Sequence, residues 1–305
     1  MKWAGNLTIF PARTDLGPLK GTGTRERDPT QMAEFDRRYA NVGSTIGTQA
    51  GVRVDEGLRS YMMSVYNYMT AGLALTGLVA YFLFTQSVTG DAALAAKSAS
   101  GIPLALKRGE FLTPLGALLY ASPVKWVIML LPLAFSFFLA FRIYSMSVAG
   151  AQIAFWLFAV AMGLSLSTIF LVFKMGSIAQ VFFITSATFA TLSAWAYTTK
   201  KDLSGWGTFL FMGMIGLIIA SLVNLGVSVY YQTTFPVMQF VISAIGLLIF
   251  AGFTAYDTQQ IKDGYYEMVG DTAAMSKGAV MGALNLYIDF IGIFQNLLSL
   301  MGDRD

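Results

Sequence analysis

The sequence predicts an all-α, polytopic membrane protein: a bundle of seven transmembrane helices with the seventh helix central. Three observations carry this prediction. Of the 305 residues, 55% are hydrophobic and only 12% charged, against roughly 25% charged in a soluble domain. Apolar runs of about 20 residues recur, the length that crosses about 30 Å of hydrocarbon at about 1.5 Å per residue. In the last run, the small and polar residues fall on one stripe, which must face protein or water.

Residues 1–57 are read as a flexible cytoplasmic N-terminal tail. The stretch 1–31 is rich in Gly, Pro, Thr and charge and is expected to be disordered. It holds no apolar h-region, so no cleavable signal peptide is read. Met32 opens a cleaner charged segment and is a second candidate start.

Residues 58–305 are read as the membrane domain. The spans are expected near 66–86, 125–141, 148–173, 178–197, 206–230, 236–256 and 279–300. One connection, 87–123, is long and carries Lys107, Arg108 and apolar stretches, so part of it is expected at the interface. The Lys/Arg distribution favours an internal N-terminus and an external C-terminus. The support rests on Arg53 and Arg59 before the first span and on the Lys200–Lys201 pair. An integral, multi-pass membrane location is expected. No internal repeat is evident, so an inverted-repeat transporter is not favoured.

Composition narrows the chemistry. There is no Cys, which removes disulfides, thiol nucleophiles and zinc–thiolate sites. There is no His, which removes the usual general base and pH switch. Proton chemistry therefore falls to Asp, Glu, Tyr, Lys or water. The net charge of +3 lies outside the apolar runs. It reads as topology, with the lipid bilayer as partner and no nucleic acid. Oligomeric state is not legible.

Small residues at helical spacing, such as Gly213 with Gly216 and Ser186 with Ala190 and Ala194, read as helix packing. Trp126, Tyr197 and Trp206 read as interface anchors.

The seventh span differs. Gly282, Asn285, Asp289, Gly292, Asn296 and Ser299 follow one another at steps of three and four. At about 100° per residue they fall within roughly 100° of one another. A lipid-facing carboxylate at that depth costs about 2.5–3.5 kcal/mol on insertion scales. Asp289 is therefore a candidate functional residue, with a neutral structural carboxyl as the alternative reading. Asp257 ends the sixth span in Ala255-Tyr256-Asp257-Thr258-Gln259. If the sixth helix continues to Ile261, a tilted crossing brings Asp257 to Asp289. Two close carboxylates cannot both ionise cheaply, so they titrate as a unit, a pH-sensitive switch without His. Arg142 closes the second span and is either a latch on one carboxylate or a positive-inside anchor.

These residues resemble a known family. The segments 253–261 (FTAYDTQQI) and 283–300 (ALNLYIDFIGIFQNLLSL) are similar to the two signature helices of the Bax inhibitor family, also called the transmembrane Bax inhibitor motif family. The Lys200-Lys201-Asp202-Leu203 turn and the Phe141-Arg142 exit also fit. The resemblance covers about residues 58–302. It implies a seven-helix bundle whose seventh helix is enclosed by the other six. It also implies a pH-sensitive calcium leak channel gated by an aspartate pair, here Asp257 and Asp289, with Arg142 as latch. The tail and the first external loop are longer than the family pattern.

A passive cation pathway, with Ca²⁺ as the expected ion, is thus the leading reading, and no cofactor is expected. Calcium takes 6–8 oxygen ligands. Asp257 and Asp289 as metal-contacting carboxylates, with Asn285, Asn296 and carbonyls along the pathway, give an incomplete shell completed by water. That favours passage over storage. The alternative is a modulator of a membrane-anchored ATP-dependent protease or of a stress response, reached through the N-terminal tail and without ion flux. No enzyme activity is expected. An intramembrane aspartyl protease is disfavoured because Asp289 follows Leu286-Tyr287-Ile288 and not the Gly-x-Gly of that class.

Overall fold

The structure is a computed structural model. It describes residues 29–98, 101–106, 109–233 and 235–304, with side chains from residue 56 onward. Of the stretch 1–31 expected to be disordered, residues 1–28 lie outside the described residues, as do Lys107 and Arg108, whereas 29–31 begin a helix. The chain divides into two compact units, Met1–Val54 and Asp55–Asp305. The second holds every span.

Seven long helices follow in order: α1 (Pro29–Ser87), α2 (Val124–Arg142), α3 (Val148–Leu166), α4 (Met175–Thr198), α5 (Trp206–Tyr231), α6 (Pro236–Met268) and α7 (Thr272–Met301). Seven segments are long and apolar enough to cross a membrane, beginning with Glu56–Ser87 in α1. All seven expected spans are present, but at one end three reach at least about seven residues further than hydropathy placed them. The first begins ten residues earlier, at Glu56; the sixth continues to Met268; the seventh begins at Thr272. Hydropathy stops at polar residues. A helix does not stop where neighbouring elements satisfy those residues.

The helix ends have local causes. Ser147 Oγ caps α3 by accepting from the Gly150 N–H at 3.1 Å. The Asp271 carboxylate caps α7, accepting from Ala273 and Ala274 N–H at 2.9 and 3.0 Å. Pro236 opens α6, where its missing N–H is harmless. Gly270, at φ +101°, makes the tight turn between α6 and α7 that a β-carbon would strain. The long connection is a folded cap. Strands β1 (Val88–Thr89) and β2 (Phe111–Leu112) pair antiparallel, and two short helical turns lead into α2.

The bundle is built around α7. Of its most apolar window, 61% is buried, against 6% for α5. It packs against α6, α4, α3 and α2. Tyr287, fully buried, lies edge-on to Phe158 with ring centroids 5.1 Å apart, and Phe290 meets Phe189 at 5.6 Å. Each such pair is worth about 0.5–1.5 kcal/mol. The Tyr287 hydroxyl bonds Thr76 Oγ1 at 2.6 Å, tying α7 to α1. The packing face of α4 is Val181, Thr185, Phe189, Ser193 and Ala196. The expected stripe Ser186–Ala190–Ala194 is not that face: Ala190 and Ala194 line an open groove of about 480 Å³. Gly216 likewise meets nothing within 4 Å.

Candidate functional site

The small and polar stripe of α7 lies along α6, and the two antiparallel helices form a register of matched pairs. Gly282 lies under Ile261, and a β-carbon at Gly282 would stand 3.0 Å from its side chain. Next come Asp289 with Asp257, whose carboxyls lie within hydrogen-bonding reach. Then Gly292 lies under the Phe250 ring, which a β-carbon would overlap. Gly246 leaves room for Asn296, and Ser243 Oγ donates to Ser299 Oγ at 2.9 Å. The absence of a β-carbon at Gly292 and Gly246 is what lets the helices approach this closely.

Asp289 is only 4% exposed, and its Oδ2 has no hydrogen-bond partner. Asp257 is half-buried, the more exposed member of the pair. It reaches Asp289 because α6 continues past it for three further turns.

The residues after Asp257 fix that extension, each pointing to a different neighbour. Thr258 Oγ1 bonds Ser193 Oγ at 3.0 Å, and Ser193 bonds the Tyr66 hydroxyl at 2.5 Å. The Gln259 side chain accepts from Leu203 N–H at 2.7 Å and donates to the Lys201 carbonyl at 2.8 Å. Lys262 Nζ donates to the Tyr197 carbonyl at 3.1 Å. The turn from α4 to α5 is thereby clasped to α6. Within it, Ser204 N–H donates to Asp202, holding that carboxyl below the usual carboxylate range.

The other residues singled out from sequence are placed less centrally. Asn285 is half-buried one turn before Asp289. Asn296 lies on the seam but donates to its own helix, to the Gly292 carbonyl at 2.7 Å. Arg142 is not brought to the pair. Its side chain is exposed at the end of α2. Among the described residues no group of three or more Asp, Glu, His or Cys is placed to hold a metal ion.

A second polar node on the seam was missed. Gln239 Nε2 donates to Ser243 and Ser299, each at 3.3 Å, and Gln239 Oε1 accepts from Asn224 at 3.2 Å. The signal was present in α6. Gln239, Ser243, Gly246, Phe250, Asp257 and Ile261 share one face at helical spacing. It is the counterpart of the α7 stripe, interrupted by one aromatic ring.

The family model for the inhibitor of apoptosis-promoting Bax1 matches residues 58–305, the whole bundle. The chain belongs to the Bax inhibitor family. Three bacterial proteins are similar to it along most of their length. An uncharacterized protein of Caulobacter vibrioides is 38% identical over 89% of this chain and 98% of its own length. An uncharacterized protein of Rickettsia prowazekii is 37% identical over 82% and 92%. Inner membrane protein YbhL of Escherichia coli K12 is 36% identical over 81% and 93%. This Bax inhibitor family member is an integral, multi-pass membrane protein.

Proposed function

We propose that this chain is a passive, pH-sensitive cation pathway, with Ca²⁺ as its principal ion and Asp257 with Asp289 as its gate. The observation that carries the reading is the meeting of two carboxyls inside an apolar bundle. Carboxyls in contact at low dielectric cannot both be charged without a cation between them. They hold a proton in common and exchange it as a unit. Protons and calcium then compete for the same oxygens. At low pH the protonated pair bridges α6 and α7 and offers no charge to a cation. As pH rises through its titration, the second proton leaves. The pair then separates or takes up a divalent ion.

Two carboxylates cannot complete a shell of 6–8 oxygens. Water and carbonyls fill the rest, which suits passage better than retention. Arg142, exposed on α2, engages Asp257 only if α2 moves, so its latch role belongs to a second conformation. The E. coli relative's inner-membrane name supports the same location here, and the Lys/Arg distribution favours a cytoplasmic N-terminus.

Calcium flux into proteoliposomes across pH tests the reading. Wild-type flux is expected to rise with pH. Asp257→Asn and Asp289→Asn are each expected to flatten that dependence. A pH profile unchanged by both substitutions contradicts the gate.

A further inference from the structure

At the end of the bundle that carries the long first connection, a cavity of about 690 Å³ opens between the start of α2, the end of α3 and the end of α7. None of its uses follows from the aspartate pair. Its floor is apolar, made by Ile128, Leu166, Ile169 and Leu298. Two cations line it, Lys125 and Arg304, and no Asp or Glu is among its lining residues.

The two charged heads are held in place. Lys125 Nζ sits 5.6 Å from the Trp126 ring centroid, and Arg304 Cζ sits 5.5 Å from that of Phe173. Arg304 is fixed by its backbone as well. It bridges Phe173, and beside it Lys174 N–H donates to the Asp303 carbonyl at 3.0 Å. Asp303 N–H in turn donates to Ser177 Oγ at 2.9 Å. Asp303 and Arg304 are thus pinned against the start of α4, and the guanidinium is presented to the cavity.

Depth selects the ligand. Lys125 is the second residue of the span Val124–Ser145, and Arg304 follows the span that ends at Met301. Both charges therefore stand where helices leave the hydrocarbon, the level of headgroup phosphates. Paired cations above an apolar floor match an anionic amphiphile.

We propose that this cavity is a binding site for an anionic phospholipid of the bilayer, its phosphate between Lys125 and Arg304 and an acyl chain on the Leu166–Leu298 floor. The site does not depend on ion conduction. Ser299, whose hydroxyl belongs to the Gln239–Ser243 node, also lines the cavity. The lipid therefore reaches the end of the α6–α7 seam.

Native mass spectrometry of the full-length protein, taken from nanodiscs with equal phosphatidylglycerol and phosphatidylcholine, tests the site. Wild type is expected to retain phosphatidylglycerol in preference. The double variant Lys125→Gln/Arg304→Gln is expected to lower that preference by about tenfold. A control with the same charge loss elsewhere, Lys97→Gln/Lys200→Gln, is expected to keep it. Thr168→Trp, which narrows the cavity and leaves both cations, is expected to lower retention of phosphatidylglycerol. Millimolar inorganic phosphate is expected not to displace the lipid. Equal retention of both lipids by wild type overturns the proposal. So does equal loss in the two double variants, full retention in Thr168→Trp, or displacement by phosphate, which marks a site for the free anion.

Discussion

The α5 and α7 helices are both long enough and apolar enough to span a membrane, at mean hydropathy 2.2 and 1.3, and are opposite in the bundle. Both are long, apolar and glycine-bearing, yet 6% of the α5 window is buried and 61% of the α7 window. Gly216 of α5 faces open space, while Gly292 of α7 lies under the Phe250 ring. The difference lies in what accompanies the glycines. A glycine facing lipid costs almost nothing, so its position does not reveal the packing face. A carboxyl facing lipid costs about 2.5–3.5 kcal/mol, so Asp289 does reveal it. Polar residues orient a membrane helix; small residues only permit close packing where it has already been chosen.

The largest expected effect breaks that contrast directly. Gly292→Leu forces the leucine into the Phe250 ring and is expected to destabilise by about 1–3 kcal/mol or more. Gly216→Leu in α5 is expected to change stability by under about 0.5 kcal/mol. Thermal unfolding of both variants in detergent compares them. Equal effects would dissolve the distinction between the two helices.

A smaller effect concerns what ties α5 to the rest. Gln259→Ala removes both hydrogen bonds to the turn before α5, at an expected cost of about 1–2 kcal/mol. Trypsin is then expected to cut faster after Lys200 and Lys201, while cleavage after Lys277 stays unchanged. A cleavage rate like wild type would mean that the clasp does not hold the turn.

The smallest effect is a pH dependence in the same turn. Ser204 N–H holds the Asp202 carboxyl below its ordinary range. The contact's contribution is present above the ordinary carboxylate range and is lost as pH falls through the lowered one. Amide exchange at Ser204 is expected to lose protection only at the acid end. Asp202→Asn is expected to remove that acid-dependent change.

How legible this was follows from the same contrast. The seven spans and the central α7 were readable because apolar length and a polar stripe are strong, local signals. Asp289 stood out because it interrupts an apolar helix. The pairing with Asp257 was readable only through an assumption, that α6 continues beyond residue 256. The side chains that sustain it, Thr258, Gln259 and Lys262, act on α4 and on the turn after it, contacts far away in sequence. Arg142 illustrates the opposite case, a residue whose latch role this conformation does not display. Its place at a helix end on the expected inner side suggested a partner, but a long side chain at such an end is equally well solvated. Gln239 and Ser243 carry no signal taken singly. Their meaning lies in sharing a face with Asp257 and opposing Ser299.

The central claim is that Asp257 and Asp289 exchange a proton as one unit. Infrared difference spectroscopy of the membrane-reconstituted protein, titrated across pH, reads the carboxyl stretching bands of aspartates directly. The account predicts that replacing either residue by Asn shifts the titration of the one that remains. Two ordinary, independent titrations, each indifferent to loss of the other, would contradict it.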